Sequence, residues 1–157
     1  MEFPFRSAVV STFAHATEDE QRVLSVLRTL LPEGAKVRRL KLEGHHGNPI
    51  INLEAKVGQR KLLRELWQRV STKLRAGELE KLSKIVSERV DGDCFFYLRF
   101  DKQLAHAGKL VLTDSGDAIH LKLKVAAYPA RREVAVKLLE KFMRAEPNEA
   151  EAPVHRF

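Results

Sequence analysis

Two stretches in the second half of the chain carry side chains that can bind a polyanion. These side chains are Tyr97, Arg99, His120, Lys122 and Lys124. Over residues 119–125, apolar and polar residues alternate strictly, which is typical of a β-strand with one buried face. Cations on the other face would hold phosphates while the tyrosine ring stacks on a base. The pattern predicts a sheet face that binds nucleic acid; the alternative is a basic surface that only keeps the protein in solution.

Two arginines at the start of the last predicted helix also favour an anion. Arg131 and Arg132 follow Pro129 and precede an amphipathic run that begins at Val134. The N-terminus of a helix is the positive end of its dipole, so cations there are slightly unfavourable unless a negative group binds beside them. We therefore expect both arginines to contact phosphate, with a solvated pair as the alternative.

Two further basic residues belong to the strand predicted over residues 36–43. Leu40 and Leu42 are expected to face the core. Because side chains alternate along a strand, Arg39 and Lys41 should then point outward together and extend the nucleic-acid surface.

Two adjacent histidines lie in the loop that follows this strand. His45 and His46 are potential metal ligands, but adjacent side chains point in different directions. No Cys pair or His-Glu-x-x-His pattern supplies further ligands. We therefore predict no metal site and take both histidines as candidates for contacts with phosphate or ribose.

The chain shows no pattern typical of a catalytic or cofactor site. Asp91 with Asp93, and Asp114 with Asp117, flank glycines in predicted turns, where local turn chemistry accounts for the carboxylates. The sequence has no glycine-rich phosphate loop before a helix and no G-x-S-x-G motif. We predict a protein that is not an enzyme and has no cofactor. A hydrolase built on the loop histidines or the turn carboxylates is the alternative.

The overall charge favours a polyanionic partner. The chain of 157 residues has 28 basic and 21 acidic side chains, a net charge of +7. Residues 145–157 contain three Glu and one Arg, so residues 1–144 hold 27 basic and 18 acidic side chains, a net charge of +9. The single cysteine, Cys94, indicates a reducing compartment, and no apolar run approaches the ~20 residues of a membrane span. We expect a cytoplasmic protein without a membrane partner.

The order of the predicted elements is that of an α+β domain. Strands are expected over residues 6–15, 36–43, 50–57, 94–100, 109–113 and 117–127. Helices are expected after a capping box at Thr17 and Glu20, over two stretches separated at Gly77, and after Pro129. Hairpin-like connections favour a mixed or antiparallel sheet with helices packed on one face. We expect one domain over residues 1–144 and a mobile acidic tail over residues 145–157.

Five motifs give the chain a resemblance to a known family. They are HATEDE at residues 15–20, LEGHHGNPI at 42–50, RELW at 64–67, YLRFDKQ at 97–103 and GDAIHLKLKVAAYPARRE at 116–133. In this order they resemble the archaeal RNA-binding proteins that are often labelled predicted exosome subunits. That family is similar in fold to the ribosomal protein that binds 5S RNA, which implies a curved sheet with helices against one side.

The resemblance also implies a function. It implies RNA binding, either in RNA processing with the exosome or on the ribosome, and it brings no catalytic residues. It places Lys102, with its neighbours Asp101 and Gln103, near the RNA surface. A protein–protein adaptor in an RNA-processing or ribosomal assembly is the alternative, and the sequence leaves the oligomeric state open.

Overall fold

The protein combines five strands and five helices in the part of the chain that the structure describes. That structure is a computed structural model of residues 2–44, 47–74 and 76–155. The strands are β1 (Phe5–Ala14), β2 (Arg38–Glu43), β3 (Pro49–Val57), β4 (Phe95–Asp101) and β5 (Ala118–Val125). The helices are α1 (Glu20–Leu30), α2 (Arg60–Lys73), α3 (Ala76–Ile85), α4 (Lys102–His106) and α5 (Arg132–His155), and a short 3-10 turn follows α3 at Val86–Glu88.

The strands form one open sheet in the order β2-β3-β1-β5-β4. Every neighbouring pair is antiparallel. β1 lies at the centre and pairs with β3 on one side and β5 on the other, as its largely apolar and β-branched sequence favours. The predicted α+β class is confirmed, and of the two predicted sheet types the antiparallel one is found.

Helices bury one face of this sheet. Alternate residues of β1, β4 and β5 are buried, among them Val10, Phe96 and Leu121. Three helices cover them with Val23, Leu27, Leu63, Leu66, Trp67, Leu139 and Phe142. The opposite face carries the remaining alternate residues of the same strands and is called the open face below.

The start of α1 and the break before α3 differ from the predictions. Asp19, rather than Thr17, caps α1, and its carboxylate accepts a hydrogen bond from the amide of Gln21 at 3.0 Å. The break follows the end of α2 at Lys73, and Gly77 lies inside α3. A glycine in a helix costs only about 1 kcal/mol relative to alanine, which packing of an amphipathic face offsets.

Residues 109–113 do not form a strand of the sheet, although we predicted one. They run along the outer edge of β4, where the amide of Asp101 donates to the carbonyl of Val111 at 2.9 Å and the amide of Thr113 donates to that of Arg99 at 2.9 Å. The unpredicted helix α4 precedes them, and Asp101 caps it by accepting from the amide of Leu104 at 2.9 Å. These contacts cover the β4 edge of the sheet.

The last helix is longer than the sequence predicts. α5 remains helical as far as His155. The mobility of residues 145–157, the domain boundary at residue 144 and the similarity to the ribosomal protein that binds 5S RNA stay predictions. Among the described helices, none combines the length and the apolar content that crossing a lipid bilayer requires.

Candidate nucleic-acid interface

The register of the sheet decides which side chains share the open face. Residues directly opposite each other on antiparallel strands lie on the same face. A polar row crosses all five strands through Arg38, Glu54, Ser11, His120 and Arg99. The next row joins Lys56, Val9, Lys122 and Tyr97, and a third joins Ser7, Lys124 and Phe95. The five residues that opened the sequence analysis therefore lie in three adjacent rows of one surface.

A shallow groove of about 660 Å³ lies along the first two rows. The charged and titratable side chains of its lining are Glu54, Lys56, Tyr97, Arg99, His120 and Lys122. Three of these carry a fixed positive charge and one is a carboxylate. The groove therefore favours an anionic ligand.

The lysines of β5 lie against aromatic rings. Nζ of Lys122 lies 4.1 Å from the centre of the Phe95 ring and 5.6 Å from that of Tyr97. Nζ of Lys124 lies 4.5 Å from the Phe95 ring centre and donates to the carbonyl of Asp93. Each such contact stabilises an exposed cation by about 0.5–1 kcal/mol and so restrains its position. The arrangement suits phosphate, but it covers the ring faces that base stacking would use.

A loop carboxylate orients Tyr97. Its hydroxyl donates to Oδ2 of Asp91 at 2.9 Å, and 37% of the residue is exposed. Burial and this hydrogen bond raise the pKa of Tyr97. Burial opposes the charge of Asp91, but hydrogen bonds from the amide of Phe95 and the hydroxyl of Tyr97 outweigh it and lower the pKa of Asp91. At neutral pH the phenol is therefore protonated and the carboxylate ionised, as the hydrogen bond requires.

Arg99 and His120 are neighbours at the β4 end of the polar row. Burial, followed by the positive charge of Arg99, lowers the pKa of His120, so the imidazole is neutral at pH 7. Nη1 of Arg99 donates to the carbonyl of Asp114 at 3.5 Å. Its buried Nε has no hydrogen-bond partner among the described residues. Among the described residues, only one hydrogen bond engages the guanidinium, so Nη donors rather than the buried Nε are what Arg99 offers a ligand.

The prediction for β2 is wrong about which residues face outward. Arg39 lies opposite Leu53 and Lys41 lies opposite Ile51, and both partners are buried. Arg39 and Lys41 therefore lie on the helix side of the sheet. The open face carries Arg38, Leu40 and Leu42 instead. Every residue of this edge strand is exposed, so burial of its leucines does not set the register as we assumed.

Arg39 has a structural partner on the helix side. Its Nε donates to Oε2 of Glu20 at 2.7 Å and its Nη2 to Oε1 at 3.0 Å. These hydrogen bonds lower the pKa of Glu20 and raise the pKa of Arg39. The pair joins the edge strand to the first residue of α1.

Lys102 is buried and does not lie at the surface, so its predicted RNA contact is wrong. Its exposed fraction is 0%, and its ammonium donates to the carbonyl of Phe13, to Oε1 of Glu18 at 2.8 Å and to Oδ2 of Asp117 at 2.9 Å. All three donors are used, as a buried ammonium requires. Burial opposes the charge of Glu18, but its bond to Lys102 contributes to lowering its pKa. The reason for the error is α4, which turns its first residue inward.

The same cluster accounts for a group of potential metal ligands. Ligand atoms of His15, Glu18 and Asp117 lie within 4.8 Å of one another. Both carboxylates already accept hydrogen bonds from Lys102, whose positive charge balances theirs. The three residues are therefore explained as an ion cluster that packs α4 against the end of β1.

Arg131 and Arg132, at the start of α5, do not line the groove. Nε of Arg132 donates to the carbonyl of Val90 at 3.0 Å, and its Nη2 donates to that of Ser87. Arg132 thus donates to carbonyl groups of the protein itself, whereas we had expected its guanidinium to contact a phosphate. Arg131 is exposed, and its phosphate contact stays a prediction. His45 and His46 lie outside the described residues.

Comparison with known proteins assigns the chain to a family. A family model described as RNA binding matches residues 7–125, which contain the open face. The chain belongs to this RNA-binding family. The match covers the sheet apart from the first two residues of β1 and excludes α5.

Relatives of this RNA-binding family member come from several archaea. The RNA-binding protein PAB1135 of Pyrococcus abyssi is 33% identical over 142 residues, covering 87% of this chain and 92% of that protein. The structure of Mth689, a DUF54 protein from Methanothermobacter thermautotrophicus, is 38% identical with a TM-score of 0.75 and covers 90% of this chain and 99% of the other. The structure of SSO0741, a DUF54 protein from Sulfolobus solfataricus, is 26% identical with a TM-score of 0.72. The match covers 89% of this chain and 98% of the other. The fold is therefore shared over nearly the full length of these proteins.

The candidate interface includes residues that the sequence analysis missed. They are Arg38, Glu54, Lys56 and Phe95. Their signal was the alternation within β2, β3 and β4, which places every second residue on one face. Pairing of β3 with β1 was needed to show that this face is the one that carries Lys122.

Proposed function

We propose that this chain is a non-catalytic RNA-binding protein and that RNA lies on the open face of its sheet. The observation that carries the proposal is the group of cations beside the groove. Two of them, Lys122 and Lys124, are held in place by the ring of Phe95. Lys56 and Arg99 extend this positive surface along the groove. The family description and the name of the Pyrococcus relative support RNA as the ligand.

The proposed contacts are mainly to phosphate and ribose. Alternate side chains along a strand are separated by roughly 6.6–6.8 Å, so Lys122 and Lys124 can contact neighbouring phosphates of one RNA strand. Because the ammonium of Lys122 lies 5.6 Å from the centre of the Tyr97 ring, stacking of a base on this ring contributes less than we first expected. Phosphate contacts fix position and supply much of the affinity.

We further propose that this RNA is handled in RNA processing or on the ribosome, in the cytoplasm. Exosome or ribosomal components are the partners that this role implies. The motifs that the chain shares with the archaeal family support this proposal.

A charge-reversal experiment tests the open face. Lys122→Glu combined with Lys124→Glu should weaken RNA binding on the order of 100-fold at ~0.1 M salt, since two phosphate contacts are replaced by repulsion. The control is Lys61→Glu combined with Lys137→Glu, the same change of charge on exposed helix positions. Fluorescence anisotropy with structured RNA, single-stranded RNA and duplex DNA measures both. For the wild-type protein with ~4–6 phosphates neutralised, log affinity should fall against log salt with a slope of roughly −3 to −5.

Equal affinities of the two double variants would contradict RNA binding on the open face. Weak binding of the wild-type protein to every nucleic acid would favour the adaptor instead. In an adaptor, the partner protein would bind at β2. The six residues of this strand are exposed, and its outer edge has no paired strand among the described residues. Such an edge can accept a strand from another protein.

A further inference from the structure

A single carboxylate, that of Glu54, lies in the lining of the basic groove. It belongs to β3, opposite Ser11 on one side and Arg38 on the other, and Lys56 follows two residues later on the same face. A negative charge at this position repels the phosphates that the surrounding cations attract. If the groove bound only the RNA backbone, Glu54 would weaken its function.

Glu54 lies across from Arg38 in the β2–β3 pair, but no direct contact with a described residue occupies its carboxylate. Within the described parts of the chain, it takes part in no ion pair and no side-chain hydrogen bond. Two other carboxylates near the sheet are engaged: Asp91 accepts from Tyr97, and Glu20 accepts from Arg39. The acceptors of Glu54 are therefore available to a ligand in the groove.

The surface next to Glu54 changes from basic to apolar. Lys122 and Lys124 lie in the two rows on one side of its row. On the other side lie the half-buried Asn52 and Ile50, with Leu40 and Leu42 opposite them, 43% and 39% of whose surface is exposed. A nucleotide whose phosphate lies on the lysines can direct its base towards the carboxylate and the apolar residues beyond it.

We infer that Glu54 binds the exocyclic amino group of an unpaired base, so that the open face takes single-stranded RNA segments and prefers cytosine to uracil. This inference rests on the proposed function and adds its specificity. An ionised carboxylate only accepts hydrogen bonds. At position 4 of the ring, cytosine offers an amino donor and uracil the O4 acceptor, which a carboxylate repels. Because the N3–H of uracil is also a donor, the preference requires that Glu54 faces position 4 of the base. The amino group must be free of base pairing, and unpaired loops and single strands are the RNA elements usually read by sequence.

Oligocytidylate and oligouridylate of equal length test the inference. Both carry the same number of phosphates, so the electrostatic contribution of the lysines cancels in the ratio of their affinities. We expect the wild-type protein to bind oligocytidylate about tenfold more tightly, as one good contact to a base edge provides. In Glu54→Gln the ratio should approach one, because the amide both accepts from N4 and donates to O4.

A matched control separates this contact from a general effect of charge. Glu33→Gln makes the same change of charge at an exposed position beyond the end of α1 and should leave the ratio unchanged. A second measurement needs no variant: oligocytidylate with N4,N4-dimethylated bases has lost both amino hydrogens and should bind the wild-type protein like oligouridylate. Circular dichroism and the thermal midpoint establish that each variant is folded.

The possible failures are distinguishable. Equal, salt-dependent binding of the two oligomers by the wild-type protein would overturn the inference and leave RNA binding on the open face intact. A preference for cytosine that persists in folded Glu54→Gln, or with the dimethylated bases, would also overturn it. Failure of the wild-type protein to bind either oligomer while it binds structured RNA would overturn the single-stranded preference, and failure to bind any RNA would overturn the proposed function as well.

Discussion

Individual lysines in this protein have opposite roles because their surroundings differ. Lys102 is fully buried and donates to a carbonyl and two carboxylates, so its charge serves the packing of α4. Lys122 lies on the ring of Phe95 with its ammonium at the groove. The difference arises from the element that carries each residue: the first turn of a short helix directs Lys102 inward, and strand alternation directs Lys122 to the open face.

His120 provides a test at the same scale, because its lowered pKa predicts a loss of stability in acid. The unfolded chain binds a proton at this imidazole near its usual pKa of about 6.5, whereas the folded protein resists protonation to lower pH. The free energy of unfolding should therefore decrease as the pH falls below about 6.5 and through the folded-state pKa. In His120→Gln this decrease should be smaller.

Urea unfolding of the wild-type protein and of His120→Gln, at neutral pH and near pH 5, measures the effect. The contributions of the other histidines cancel when the pH dependences of the two proteins are subtracted. An identical pH dependence for the two proteins would show that His120 does not titrate differently in the folded state.

Among the elements, β2 shows how weakly an edge strand is specified. Alternation predicted the strand itself, but either face was available for its leucines because neither position is deeply buried. The structure places the leucines on the open face and joins Arg39 to Glu20 at the start of α1. A short stretch such as residues 109–113 was equally ambiguous, and α4 has too few residues to show a helical period.

The register of β2 predicts a contrast between leucine substitutions. Leu40→Ala and Leu42→Ala should each change the free energy of unfolding by less than about 1 kcal/mol, since both side chains are largely exposed. Leu53 is buried in the neighbouring strand, so Leu53→Ala should lower the free energy of unfolding by about 2–5 kcal/mol. Urea denaturation of the three variants measures the contrast. A large cost for Leu40→Ala would mean that β2 has the opposite register.

At the scale of the whole molecule, the helices on one side leave the other side of the sheet to a ligand. The net charge of +7 is distributed unevenly along the chain, because residues 145–157 contain three Glu and one Arg. This acidic segment lowers the positive field that would draw RNA towards the proposed site on the open face. We expect it to weaken binding by long-range electrostatics.

Deletion of residues 145–157 tests this expectation, since it raises the net charge from +7 to +9. RNA affinity measured by anisotropy should increase several-fold at low salt, and the increase should shrink as the Debye length falls to about 3 Å at 1 M salt. The control keeps the length of the chain and changes Glu146, Glu149 and Glu151 to Gln. An affinity and a salt slope that match the wild-type protein in both variants would contradict the role of the segment.

The sequence by itself determined the fold class, the long elements and the chemistry of the basic strand. Periods of two and of 3.6 residues are local, so β1, β5, α2 and the cations of β5 could be read from the chain. Only the tertiary structure decided that Lys102 is inside, that Arg39 and Lys41 lie on the helix side, and that Glu54 shares a groove with Lys122. Alternation divides a strand into two faces, but pairing with strands distant in sequence decides which face is buried and which side chains become neighbours.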